Sequence, residues 1–87
     1  VAAYPCSGEI NRQVDDPAAL LAAIEERYGP DSESVDHTDG LSLSYPEWRF
    51  NLRMSNTEPV VRLNVESRGD AVLMQQKTAE LLAVIDG

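Results

Sequence analysis

Two stretches of the chain alternate strictly between apolar and polar residues. In "EWRFNLR", Trp48, Phe50 and Leu52 point one way and Arg49, Asn51 and Arg53 the other. "VVRLNVES" repeats the pattern, with Val61, Leu63 and Val65 opposite Arg62, Asn64 and Glu66. A period of two over both segments predicts adjacent strands with one buried face. Ahead of them lies "SESVDHTDGLSLSY". Its Asp39-Gly40 pair is a strong turn dipeptide, because glycine tolerates positive φ. Leu41, Leu43 and Tyr45 then alternate with Ser42 and Ser44, so a hairpin is expected there, interrupted at Pro46. Ser7 to Val14, "SGEINRQV", is a weaker first strand.

Two other windows follow the helical period. In "DDPAALLAAIEERYG", Leu20, Leu21, Ile24 and Tyr28 form one apolar face. Asp15 or Asp16 can cap this helix, Pro17 suits its first turn, and Gly29-Pro30 ends it. The tail from Asp70 to Asp86 predicts a second helix, capped by Asp70, with Met74, Thr78, Leu81, Leu82 and Ile85 along one side. The order strand, helix, several antiparallel strands, helix indicates an α+β fold, a small antiparallel sheet with both helices packed on one face. The opposite face then carries Arg49, Asn51, Arg53, Arg62 and Asn64.

Length limits the rest. Eighty-seven residues suffice for a single domain, 1–87, with a modest core. No apolar run is long enough to span a membrane as a helix, and "VAAYPCSGEIN" lacks the layout of a signal peptide. The chain does not begin with Met, which suggests a piece of a longer protein. The single Cys6 excludes an internal disulfide, so the cytoplasm is the expected compartment. Fifteen acidic residues against seven basic ones give a formal charge of -8, which argues against nucleic acid as a partner. Yet four of those bases, Arg49, Arg53, Arg62 and Arg68, fall in one window. An isolated positive site in a negative field suits a small anion better than a polyanion.

The turn inside that window, "RMSNTEP", carries suitable chemistry. Arg53 is placed as the last residue of one strand and Val60 as the first of the next, so the loop is held at both ends. Arginine offers a planar fork of N–H donors that matches two phosphate oxygens. Ser55 and Thr57 supply hydroxyls. The backbone N–H groups of Ser55, Asn56 and Thr57 can converge into an anion-binding concavity, for which Asn56 tolerates a left-handed conformation. Pro59 stiffens the exit. Glu58 either pairs with a nearby arginine or is solvated. The plainer alternative is a polar hairpin loop beside a surface arginine.

Other residues carry less. His37, in "DHTDG", has Asp36 and Asp39 near it in sequence, but a lone histidine in a turn is usually solvated rather than a metal ligand. Cys6 has no basic neighbour and reads as an inert thiol. Glu25-Glu26 reads as a solvated helix face, and Trp48 as core. An independent ligand- or RNA-binding module is the alternative function, but such sheets expose aromatics, whereas Trp48 and Phe50 share the apolar face. A stand-alone enzyme would need a nucleophile and base, and the one histidine lies far in sequence from the hydroxyl cluster.

The segment "WRFNLRMSNTEPVVRLNVESRGD" resembles the C-terminal domain of the bacterial phosphomannomutases and phosphoglucomutases, in the α-D-phosphohexomutase superfamily. The resemblance extends through "SGEIN" and the closing helix, nearly the whole chain. The superfamily's phosphate loop reads R-x-S-G/N-T-E/x-P, supplied here by Arg53, Ser55, Asn56, Thr57, Glu58 and Pro59. The resemblance implies a four-domain enzyme interconverting mannose 6-phosphate and mannose 1-phosphate, with glucose phosphates as further substrates and a bisphosphate intermediate. A phosphoserine lies in the first domain, Mg²⁺ is held by the second, and the third reads the sugar hydroxyls. The fourth is a mobile, TBP-like flap that grips the phosphate not being transferred. Carried over by position, Arg53, Ser55, Asn56 and Thr57 bind that phosphate, with Glu58 and Arg62 as possible supports. No serine motif of the T-A-S-H-N-P type, D-x-D-x-D metal loop or G-E-x-S-G sugar loop occurs in these residues. The chain alone is therefore expected to bind no cofactor and to have no mutase activity.

Overall fold

The computed structural model describes residues 5–87. Five strands form one antiparallel sheet: β1 (Ile10–Gln13), β2 (Ser34–Asp36), β3 (Leu41–Ser44), β4 (Trp48–Met54) and β5 (Val60–Ser67). Their order across the sheet is β1-β5-β4-β3-β2. Strands β2 to β5 run as a meander, and β1 joins the far edge beside β5. The first helix, α1 (Pro17–Tyr28), therefore connects opposite edges of the sheet, and α2 (Ala71–Asp86) follows β5.

The alternation read from the sequence is the packing. Trp48, Phe50 and Leu52 of β4 and Val61, Leu63 and Val65 of β5 are buried with Leu41 and Leu43 of β3. Ile24 of α1 and Leu81 and Ile85 of α2 belong to the same cluster, so both helices cover one face of the sheet. Each such side chain contributes about 1.5–3 kcal/mol relative to its exposure in water. The uncovered face carries Arg49, Asn51 and Arg53 directly opposite Glu66, Asn64 and Arg62.

Helix starts follow side-chain capping. Asp16, not Asp15, caps α1, accepting the N–H of Ala19 at 3.2 Å, with Pro17 in the first turn. Asp70 caps α2, accepting the N–H of Leu73 at 2.9 Å. Helix α1 ends at Tyr28 without a left-handed glycine: Gly29 is right-handed and opens a short 3-10 turn, Gly29–Asp31. Pro30 has no N–H with which to continue the helix.

The first strand is shorter than its sequence pattern. It begins at Ile10 rather than Ser7, because Gly8 at φ 74° interrupts it. Pairing with β5 resumes upstream at an isolated bridge between Cys6 and Glu66. Between them Ser7 donates its N–H to the Val65 carbonyl at 2.8 Å and accepts the Val65 N–H on its hydroxyl at 3.0 Å. A local bulge of this kind re-aims the neighbouring side chains. Glu9 follows it directly.

Candidate functional site

One end of the sheet collects the β4–β5 loop, the β2–β3 turn and the exit of β1. This follows from register: Met54 faces Val61, Leu41 faces Leu52, and Gln13 faces Val60. Strand β4 runs one residue beyond Arg53, to Met54, so Arg53 lies within the ladder and its backbone is fixed on both sides. The loop is closed by the Ser55 N–H donating to the Val60 carbonyl at 3.0 Å.

Inside the loop, Ser55 is the organiser. Its Oγ accepts the N–H groups of Thr57 and Glu58, each at 3.2 Å, and lies 3.3 Å from Thr57 Oγ1. The Val60 N–H donates to the Glu58 carbonyl at 2.8 Å across Pro59, and the Pro59 carbonyl accepts the Val14 N–H at 2.9 Å. The exit is thus stiffened by the proline and anchored to the end of β1. This geometry corrects the expected concavity. The N–H groups of Ser55 and Thr57 are engaged within the loop, and only that of Asn56 is without a partner among the described residues. Asn56 is not left-handed, since no residue but glycine has positive φ among the described residues. The turn reaches its shape through the Ser55 hydroxyl, which does not need a left-handed residue. Ligand donors that remain are the Asn56 N–H and amide and the Ser55 and Thr57 hydroxyls.

Only two of the four clustered arginines flank this loop. Arg49 is paired with Glu66, and Arg68 lies at the opposite end of the sheet, its N–H on the Glu47 carbonyl at 2.9 Å. Arg53 and Arg62 are directly cross-strand. Like charges so placed repel, by a few tenths to about 1 kcal/mol. Two carboxylates offset this at Arg53: Nη2 donates to Glu9 Oε2 at 3.3 Å, and Nη1 lies 3.6 Å from Asp39 Oδ2. Arg62 is exposed and makes no ion pair among the described residues. Asp39, Gly40, Arg53, Met54, Asn56 and Arg62 line a shallow cleft of about 270 Å³.

Asp39 is itself held. The Asn51 amide donates to the Asp39 carbonyl at 2.7 Å and to Ser42 Oγ at 2.9 Å, latching the β2–β3 turn onto β4. Glu58 makes no ion pair among the described residues, and it is exposed. His37 contacts no acid of its own turn; Nε2 reaches Glu25 Oε1 on α1 at 2.8 Å, so Glu25 is not a purely solvated charge. Cys6 is exposed and donates to Asn64 Oδ1 at 3.1 Å. Among the described residues, no three His, Cys, Asp or Glu side chains stand together as metal ligands. No helix among them is long and apolar enough to cross a membrane.

A family model of the phosphoglucomutase/phosphomannomutase C-terminal domain matches residues 9–83, from Glu9 through the loop and into α2. The chain belongs to that family. A phosphomannomutase of Salmonella typhimurium is 57% identical over 86 residues, which cover 99% of this chain and 19% of that protein. A phosphomannomutase of Escherichia coli is 60% identical over 84 residues, 97% of this chain and 18% of that protein. The crystal structure of a phosphoglucomutase/phosphomannomutase family protein from Burkholderia thailandensis superposes with a TM-score of 0.66 at 26% identity, covering 95% of this chain and 18% of that one. The chain thus spans about a fifth of the length of the curated relatives it matches. In this C-terminal phosphohexomutase domain, the sequence pattern placed Arg53 and Arg62 on one face but not directly opposite each other across the hairpin. Counting outward from a loop closed by Ser55 and Val60 would have found that pairing.

Proposed function

We propose that the Ser55–Thr57 turn, with Arg53 and Arg62 beside it, grips a substrate phosphate in a hexose-phosphate mutase. The observation that carries the reading is the pair of facing arginines at the base of an internally hydrogen-bonded, hydroxyl-rich loop. Arg53 supplies the fork of donors, Ser55 and Thr57 supply hydroxyls, and Asn56 supplies its N–H and amide. Arg62 adds a second positive charge, and Glu58 and Pro59 shape the exit. The relatives' names point to mannose phosphates, and the 1- and 6-phosphates of mannose, and of glucose, share the dianion this turn would hold.

On this reading the domain is the C-terminal, fourth-domain flap of a four-domain cytoplasmic enzyme. The phosphoryl-transferring serine, the Mg²⁺ that activates it and the groups that read the sugar hydroxyls belong to the other three domains. What this chain contributes is position: it fixes one phosphate while the other end of a bisphosphate reacts. An RNA-binding module is less well supported, because Trp48 and Phe50 are buried under the helices rather than displayed for base stacking.

The test is a ¹H–¹⁵N titration of the chain with mannose 1-phosphate, with Arg53→Ala as control. Saturable shifts confined to Ser55, Asn56, Thr57 and their strand neighbours are expected, and their loss in the variant. The affinity should be on the order of millimolar, since one jaw of a clamp meets the whole cost of association. Shifts that merely track a sodium chloride titration would sink the reading.

A further inference from the structure

The guanidinium that the phosphate reading assigns to the ligand already has partners. Its two terminal nitrogens face two different carboxylates: Nη2 donates to Glu9 Oε2 at 3.3 Å, and Nη1 stands 3.6 Å from Asp39 Oδ2. A bidentate grip on phosphate uses two N–H groups of the same fork. Both carboxylates lie against the terminal nitrogens of that fork and compete for its donors. We propose that Glu9 and Asp39 form a carboxylate latch on Arg53, with which a phosphate dianion competes for the guanidinium. The inference rests on the phosphate reading of the turn.

The two acids come from separate elements, each placed by local structure of its own. Glu9 follows the Ser7–Gly8 bulge, where Gly8 takes φ 74° and Ser7 bonds both the N–H and the carbonyl of Val65. Asp39 sits in the β2–β3 turn, which Asn51 ties to β4 and which Gly40 allows to lie against Leu52 and Arg53. Neither acid is buried. The side chains are 50% exposed at Glu9, 75% at Asp39 and 39% at Arg53. Exchange of partners therefore needs only side-chain rotation, and pairs this exposed are individually weak. Arg62, directly across the ladder, has no carboxylate of its own among the described residues and can take one side of the arriving dianion.

The latch makes two contributions. Without ligand it relieves the repulsion between Arg53 and Arg62 and keeps the guanidinium extended over the face it serves. With ligand present it sets two negative charges beside a dianion, which weakens the grip. A weak grip suits a phosphate that must be released again when the substrate turns.

The experiment measures the affinity of the chain for inorganic phosphate, at a pH where it is dianionic, in Glu9→Gln, Asp39→Asn and the double variant. The turn amides and the Nε–Hε resonances of Arg53 and Arg62 report binding. Each acid substitution should tighten binding, by about threefold to tenfold at low salt, from the Coulomb energy of one charge beside a dianion. The gain should be larger for Glu9, whose contact is a hydrogen bond, and should shrink as sodium chloride is added. A merely structural role would not give that salt dependence. If the wild-type chain binds at the turn and Arg53→Ala abolishes binding, yet both acid variants bind equally or more weakly, the latch is wrong and the phosphate site stands. If neither the wild-type chain nor any acid variant responds at the turn, the phosphate reading fails and the latch with it. Because Glu9 and Asp39 lie on different elements, loss of fold in one variant leaves the other to decide.

Discussion

A methyl group at Gly40 would lie 2.7 Å from the Cγ of Arg53, 2.7 Å from the Leu52 carbonyl oxygen and 3.0 Å from the Cα of Arg53. Gly40 also sits at φ 78°, a conformation L side chains rarely adopt. One hydrogen atom in place of a side chain thus lets the β2–β3 turn close against β4 and brings Asp39 within reach of Arg53. Gly40→Ala should destabilise the fold by about 1–3 kcal/mol, combining the strained φ with the clash. For a chain of this size that lowers the thermal midpoint by about 4–8 °C per kcal/mol. Thermal unfolding followed by Trp48 fluorescence measures it, and a midpoint unchanged in the variant would show that the turn can move aside freely. At the same scale the loop depends on the Ser55 hydroxyl, which accepts the N–H groups of Thr57 and Glu58, the first of them expected to face a ligand. Ser55 therefore shapes the loop, beyond the donor role proposed for it.

The elements were largely legible because their period reports burial. Trp48, Phe50 and Leu52, and Val61, Leu63 and Val65, alternate so regularly that the buried face follows directly. Asp16 and Asp70 mark their helices for a local reason, the unsatisfied N–H groups of a first turn. What stayed hidden were contacts between elements far apart in the chain. Glu9 lies 44 positions before Arg53, and nothing in either segment alone tells that a bulge aims one at the other. Tyr45 is a second case. It follows β3, stacks on Trp48 with centroids 4.5 Å apart, and donates its hydroxyl to the Tyr28 carbonyl at the end of α1. Burial, then the negative charge of Asp31, pushes Tyr45 up to about 12. Tyr28 is also raised, by burial and then by Glu80. An unfolded tyrosine ionises near about 10. The stability these groups confer is complete below that pH and is lost as pH rises through the folded values. The thermal midpoint should accordingly fall between about pH 10 and 12. In Tyr45→Phe the fall should be shallower, while stability at neutral pH drops by about 0.5–1.5 kcal/mol for the lost hydrogen bond. Equal slopes in the two proteins would remove Tyr45 as the titrating group.

For the whole molecule, charge opposes the proposed function. A chain with formal charge -8 repels a dianion at long range, so attraction has to be local. The fold meets this by placing two arginines across one hairpin and by setting the loop's own N–H groups to hold its shape. Such a site is poorly suited to act alone and well suited to act as one side of an enclosure, where excluding water strengthens each charge-assisted contact. In a full-length mutase bearing this domain, Arg53→Ala should therefore lower kcat/KM by about tenfold to a hundredfold, the worth of one charge-assisted contact of about 1.5–3 kcal/mol. Arg62→Ala should cost less, because the role proposed for Arg62 is that of a supporting charge rather than the fork. The division between kcat and KM distinguishes two roles. A change confined to KM would mean that Arg53 holds substrate and transition state alike. A loss in kcat would mean that the contact is made fully only when the domains close. Steady-state assays of the two variants with mannose 1-phosphate and glucose 1-phosphate decide this, and an Arg53→Ala enzyme with unaltered kcat/KM for both sugars would remove the residue from the clamp.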